Sequence, residues 1–129
     1  TLGKNKTLEK VSEWEVVQFL QSHFPEEHMI HNKRVMYKET RIYPDIRYEC
    51  NGYNLIIEVD ERAHQGVKNE VLRMHNIIEA LKSPCVFLRY NPSSKDSNLY
   101  ALFLRVQECL NIIEPIWNNK GYYVEYLFY

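Results

Sequence analysis

Hydrophobic and polar positions along this chain follow two periods, and each period predicts a different kind of element. Apolar residues at helical spacing predict helices at about 10–24, 67–82 and 97–114. Runs rich in β-branched and aromatic residues predict strands at about 34–39, 42–50, 53–60 and 85–90, with a candidate edge strand at 121–128. The order α-β-β-β-α-β-α, followed by that candidate strand, predicts an α/β fold with a mixed β-sheet flanked by helices.

Each of the first two helices carries an apolar stripe that we expect to face the core. The first stripe consists of Val17, Leu20 and Phe24, and Trp14 widens it. The second stripe consists of Val67, Val71, Met74, Ile78 and Leu81. Prolines 25 and 84 end these helices, because proline cannot continue a helical ladder. Residues 25–33 and 61–66 are predicted to be loops.

Asn51-Gly52 predicts a β-hairpin between the second and third strands. This dipeptide suits a type I′ turn, which needs a positive φ at both central residues. Counting outward from the turn pairs Cys50 with Tyr53, Tyr48 with Leu55 and Ile46 with Ile57. The same count places Asp45 directly opposite Glu58. Asp60 shares the face of Glu58, since side chains alternate along a strand.

Three carboxylates are therefore predicted to crowd one patch of the sheet. Like charges directly opposed across strands are destabilising. A site that holds a hard divalent cation accounts for them, because Mg²⁺ and Mn²⁺ prefer carboxylate oxygens. The alternative is that Asp45 and Glu58 are solvated edge-strand acids and that Asp60 faces solvent at a strand end.

Composition and charge narrow the class of protein. The 129 residues argue for a single domain, residues 1–129, and a net charge of −1 shows that the chain is not a polycation. Three cysteines without a CxxC pair make a disulfide framework or a zinc site unexpected. The chain lacks an apolar run of membrane-spanning length and a signal-peptide pattern, so we expect an intracellular location, cytoplasm or nucleus. Because it does not begin with Met, an excised domain is also an expectation.

The ordered set of acidic residues resembles the PD-(D/E)xK nuclease superfamily. The set comprises Pro44-Asp45 and, after residues 46–57, Glu58-Val59-Asp60. The resemblance covers about residues 10–92 and implies a restriction-endonuclease-like αβββαβ core, to which 97–129 add a helix and a candidate strand. Residues 57–64 resemble the branch of very-short-patch repair nicking enzymes and related endonuclease-like proteins of bacteria and large DNA viruses. Residues 86–92 resemble the strand after the crossover helix in the viral members. If this chain is viral, its expected location is the host cell.

The resemblance implies roles for individual residues. Asp45 and Glu58 would be metal ligands, the Val59 carbonyl a further ligand, and Glu13 the first-helix glutamate that completes the water shell. His64 matches the histidine of that branch and would act as general acid or base. The alternatives are that His64 is a surface loop residue and that Glu13 lies at the frayed start of its helix.

One departure from the superfamily pattern concerns its lysine. Asp60 stands where that lysine is expected. Asp60 would then bind a second metal or water, or orient His64. Lys68 would replace the lysine in stabilising the transition state. One alternative is that Lys68 is an ordinary surface lysine. Another is that, without the motif lysine, the domain has lost activity.

These observations predict a metal-dependent endonuclease that uses Mg²⁺ or Mn²⁺ and acts on DNA. Residues expected to bind nucleic acid are Lys38, Arg41, Arg47, Arg73 and Arg89. Salt bridges to the carboxylate cluster are the alternative for the last two. Two alternative functions remain: a catalytically inactive nucleic-acid-binding or assembly module, and an RNA endonuclease. A homodimer is a further expectation for the oligomeric state.

Overall fold

A computed structural model describes residues 2–60, 67–112 and 121–129, with side chains from residue 12 onward except 67 and 68. The helices are α1 (Leu2–His23), α2 (Val67–Leu81) and α3 (Leu99–Leu110). The strands are β1 (Ile30–His31), β2 (Val35–Tyr37), β3 (Thr40–Ile42), β4 (Ile46–Glu49), β5 (Asn54–Val59), β6 (Cys85–Tyr90) and β7 (Tyr122–Leu127).

Five of these strands form one mixed sheet in the order β1-β4-β5-β6-β7. Strand β4 is antiparallel to β1 and to β5, whereas β5, β6 and β7 run parallel. Helix α2 lies between β5 and β6 in sequence, as the crossover between parallel strands requires. Helices flank the sheet on both faces, so the predicted α/β class is confirmed.

Side-chain alternation along the sheet divides the core into two hydrophobic clusters. One cluster joins α1 and α3 to the sheet through Val17, Leu20 and Leu102. The other cluster covers the opposite face, where Met74 and Ile77 of α2 pack together with Val35 and Ile42 of the β2–β3 hairpin. Every residue of β6 is buried, which confirms the predicted central strand.

The helical stripes are rotated from their predicted positions. Trp14 is 52% exposed, and Val16 takes the buried place beside Val17. Val71 is also exposed, and Ile77 is buried in its stead. Both shifts follow from the sheet, because each helix turns toward the neighbours that cover the most apolar surface.

The predicted β4–β5 register is confirmed. Ile46 pairs with Ile57 and Tyr48 with Leu55, and the Cys50 N–H donates to the Tyr53 carbonyl at 2.9 Å. The prediction of a type I′ turn is wrong, however. Gly52 has a φ of +87°, whereas Asn51 is not among the residues with positive φ. Because glycine alone takes the left-handed position, the signs of φ match a type II turn.

Two predicted segments have different boundaries in the structure. The strand predicted at 42–50 is divided, and its first part belongs to β3, which pairs with β2 in a separate two-stranded sheet. Pro44 lies at the division, and a proline cannot donate a ladder hydrogen bond. The predicted loop at 25–33 contains β1, whose residues Ile30 and His31 pair with Arg47 and Ile46 of β4.

Helix α3 begins at an asparagine cap. The Asn98 side-chain oxygen accepts from the Tyr100 N–H at 2.8 Å and from the Ala101 N–H at 3.3 Å. We expect Asn98→Ala to lower the free energy of unfolding by about 1 kcal/mol, because these amides lose their acceptor. Urea denaturation checks this, and Asn98→Asp should retain the wild-type value. Equal stability of the alanine variant would contradict it.

Cys50, Cys85 and Cys109 are all free cysteines in the structure. Within the part of the chain that the structure describes, no helix has the length and apolarity needed to cross a membrane.

Candidate functional site

The predicted acidic residues lie at the carboxyl ends of the parallel strands. Glu58 is the penultimate residue of β5, and Asp45 immediately precedes β4. Glu58 is level with Arg89 of β6, one residue before that strand ends. In α/β sheets, ligands bind in the crevice outside these strand ends. The location is therefore one where this class of fold places a site.

Two backbone N–H groups hold the side chains of Asp45 and Glu58 in place. The Asp45 N–H donates to Glu58 Oε2 at 3.2 Å, and the Val59 N–H donates to Asp45 Oδ2 at 2.8 Å. These bonds bring the two carboxyl groups close enough to interact, as the count from the Asn-Gly turn predicts. The backbone fixes both side chains, so their approach is a property of the hairpin.

The proximity of the two groups alters the protonation of Asp45. Burial, followed by the charges of Glu58 and Glu13, raises the pKa of Asp45 to about 8. The hydrogen bond from Val59 acts in the opposite direction but does not offset these effects. At neutral pH the Asp45 carboxyl therefore keeps a proton, because a second negative charge beside Glu58 is unfavourable.

Arg73 of α2 provides the countercharge for Glu58. Its Nη2 donates to Glu58 Oε1 at 3.0 Å and to the Tyr43 carbonyl at 3.1 Å. Glu58 is only 5% exposed, and a buried carboxylate is costly unless it is paired. This contact is the salt bridge that the sequence left as the alternative role of Arg73.

Asp60 belongs to a second buried ion cluster beside the first. Arg89 Nη2 lies 3.1 Å from Asp60 Oδ2 and 3.1 Å from Glu70 Oε1, and the Tyr129 hydroxyl also donates to Asp60. Burial opposes the charge of Arg89, but hydrogen bonds and charges from Tyr129, Asp60 and Glu70 raise its pKa above the usual range. Asp60 is thus paired with an arginine, and Arg89, 5% exposed, is directed to carboxylates.

A histidine that the sequence did not single out lies next to the carboxylate pair. His31 Nε2 is 3.0 Å from Glu13 Oε2, and the N–H of the following residue, Asn32, donates to the Asp45 carbonyl at 2.8 Å. Glu13 is thus directed toward the site, and its charge acts on Asp45. Sequence spacing gave no signal for His31, since only the long-range pairing of β1 with β4 brings it here.

Comparison with protein-family models, with curated proteins and with solved structures gives no match. The interpretation of the site consequently depends on its geometry. Among residues 2–60, 67–112 and 121–129, no group of three or more His, Cys, Asp or Glu side chains is arranged to hold a metal ion. Two carboxylates nevertheless fit Mg²⁺, which usually takes one or two of them together with waters and phosphate. A dication would also offset the repulsion that keeps a proton on Asp45.

The remaining predicted site residues are distributed around this centre. His64 lies outside the described residues, and Lys68 lies in the first turn of α2, where the structure describes only its backbone. Lys38 is in the β2–β3 turn, with its ammonium 5.3 Å from the centroid of the Tyr37 ring. Arg47 is half-buried on β4 and donates to Asn54 Oδ1 at 3.1 Å. Arg41 is exposed on β3.

Proposed function

We propose that this chain is a metal-dependent endonuclease that hydrolyses phosphodiester bonds, in DNA before RNA. The observation that carries the proposal is the pairing of Asp45 with Glu58 at the carboxyl end of the sheet. A protein that needed only stability would not retain two carboxyls in mutual contact, because their repulsion is unfavourable.

The arrangement of elements supports a restriction-endonuclease-like core for the same proposal. Helix α1 precedes the antiparallel β4–β5 hairpin that carries the two acids. Crossover helix α2 and the parallel strand β6 follow it. The strands of the five-stranded sheet thus give the order α1-β1-β4-β5-α2-β6, which agrees with the αβββαβ order that the sequence resemblance implies, with the β2–β3 hairpin as an addition.

In this proposal Asp45 and Glu58 would hold Mg²⁺ or Mn²⁺, with the Val59 carbonyl and Glu13 as further oxygen ligands. A bound cation would supply Lewis-acid chemistry toward the scissile phosphate and the attacking water. The N–H groups of Asp45 and Val59 hold the Glu58 and Asp45 side chains in place. Asp45 would release its proton to the solvent on cation binding. His64, the histidine that the resemblance singles out, would accept the proton of the water.

Incubation with supercoiled plasmid tests the proposal. The wild-type chain should nick or linearise the plasmid with Mg²⁺ or Mn²⁺ and not with EDTA. Asp45→Asn and Glu58→Gln should lose this activity, whereas Glu49→Gln should retain it, because Glu49 is an exposed acid on β4 away from the pair. A labelled RNA of the same sequence distinguishes an RNA endonuclease. Cutting that survives both site variants would contradict the proposal.

A catalytically inactive nucleic-acid-binding or assembly module is the second candidate, and one observation favours it. Arg73 already neutralises Glu58, and the raised pKa of Asp45 favours its neutral form, so the pair is satisfied without a cation. If this second candidate is correct, wild-type protein should bind nucleic acid equally well in EDTA and in Mg²⁺ and should not cut it under either condition. It also expects Asp45→Asn to leave binding unchanged.

A further inference from the structure

A groove lies between β3 and α2, directly beside the carboxylate pair. It has a volume of about 250 Å³. Its polar lining consists of Thr40, Arg41, Asn69, Arg73 and Asn76. Two guanidinium groups, two amides and a hydroxyl all offer N–H or O–H donors, and none of the described lining residues is acidic. The groove is thus suited to an anion, although the whole chain has a net charge of −1.

Arg73 belongs to both the groove and the carboxylate pair. Among the described residues, both of its hydrogen bonds, to Glu58 and to the Tyr43 carbonyl, come from one nitrogen, Nη2. Guanidinium carries five N–H donors in a planar fork, so Nε and Nη1 retain donors for a further acceptor. Such a fork matches the two free oxygens of a phosphodiester.

We propose that this groove is a subsite for a backbone phosphate of nucleic acid, and that Arg73 couples it to cation binding at Asp45 and Glu58. The inference rests on the proposed function for its cation, and it adds a location for the substrate strand. A phosphodiester on Nε and Nη1 would share the charge of Arg73 with Glu58 and weaken that ion pair, and a cation on Glu58 would replace Arg73 as its countercharge. Each ligand therefore removes the partner that opposes the other, so their affinities rise together.

Binding in EDTA tests the subsite without any contribution from cleavage. Anisotropy of labelled single- and double-stranded DNA and RNA should show Arg41→Gln and Arg73→Gln weakened roughly three- to tenfold each. The slope of log K against log salt should fall by about one for each. Arg34→Gln is the matched control, because Arg34 is an exposed arginine just before β2 that does not line the groove. A methylphosphonate backbone, which lacks the charge, should not compete.

The coupling has its own readout. Calorimetric titration of Mn²⁺ into wild-type protein should give a higher affinity when a cleavage-resistant phosphorothioate oligonucleotide is present, by about fivefold or more. Arg73→Gln should bind Mn²⁺ more tightly than wild type without the oligonucleotide and should show no coupling. If Arg73→Gln does not fold, Arg41→Gln still tests the subsite, since an exposed strand residue tolerates substitution.

The outcomes separate this inference from the proposed function. If Arg41→Gln and Arg34→Gln bind oligonucleotides equally, or if the wild type binds none, the subsite is wrong, whatever the plasmid result. If the plasmid is not cut but Arg41→Gln still weakens binding, the nuclease proposal fails and the groove stands as a nucleic-acid site. Unchanged Mn²⁺ affinity in Arg73→Gln would overturn the coupling.

Discussion

Asp45→Asn is expected to abolish metal-dependent cleavage and, at the same time, to stabilise the fold at high pH. The amide keeps an oxygen acceptor for the Val59 N–H and adds a donor toward Glu58. It carries no charge that must be buried beside a second carboxylate. A substitution that removes function and increases stability is the behaviour expected where a site stores unfavourable contacts.

The pH dependence of the effect follows from the direction of the pKa shift. The pKa of Asp45 is raised from 3.8 to about 8 in the folded state. Between these values the folded chain binds more protons than the unfolded chain, so the free energy of unfolding falls as pH rises. Each pKa unit of difference corresponds to about 1.4 kcal/mol, so the fall should be measurable across the window. Asp45→Asn should lack this part of the pH dependence.

Urea denaturation below, within and above this pH window provides the measurement. Wild type and Asp45→Asn should agree at the acidic end and diverge steadily toward the alkaline end. Glu49→Gln is the control, because Glu49 is exposed and its pair with Arg47 spans 3.6 Å. Mg²⁺ should raise the melting temperature of the wild type above pH 8 and leave Asp45→Asn unchanged. Parallel curves for wild type and Asp45→Asn would refute the account.

Local sequence signals were sufficient for the central hairpin. The Asn-Gly turn set a register from which the approach of Asp45 to Glu58 could be counted, because side-chain alternation and cross-strand pairing are regular. The error in turn type did not disturb that count, since the turn contains two residues in either form. The apolar run 85–90 likewise identified β6, because a strand buried on both faces needs no alternation.

Contacts between distant segments could not be predicted from local pattern. Arg73 is 15 residues from Glu58, and Arg89 is 29 residues from Asp60. Their partners depend on how α2 and β6 lie over β5, so the sequence offered both phosphate and carboxylate as partners without deciding between them. His31 was missed for the same reason, because its nearness to Asp45 depends on a two-residue strand.

The exposure of Trp14 shows a related limit of periodicity. A helical stripe fixes which residues lie on one side of α1, but the sheet decides the direction in which that side turns. Val16 and Val17 are both almost fully buried, so the line along which α1 contacts the sheet passes between them. Trp14 falls outside the contact as a result and lies over His31 instead, with ring centroids 6.3 Å apart.

Arg89→Met is expected to destabilise the fold by about 3–5 kcal/mol, the range observed when one partner of a buried ion pair is removed. The substitution leaves the carboxylates of Asp60 and Glu70 close together without their shared cation. Two of the arginine nitrogens, Nε and Nη1, are buried and lack a hydrogen-bond partner among the described residues. Arg89 therefore acts through charge balance more than through a complete hydrogen-bond set.

That distinction determines the design of the test. If charge balance is the cause, combining Arg89→Met with Asp60→Asn and Glu70→Gln should recover most of the lost stability, because no charge remains unpaired. Arg105→Met provides the control, since Arg105 pairs with Glu125 and Glu108 at 31% side-chain exposure, and its loss should cost clearly less than that of Arg89. If the triple variant is no more stable than Arg89→Met, the packing of the arginine stem would be the cause instead. In either case Asp60 is held by Arg89 in the folded protein, so Asp45 and Glu58 are the carboxylates on which cation binding should depend.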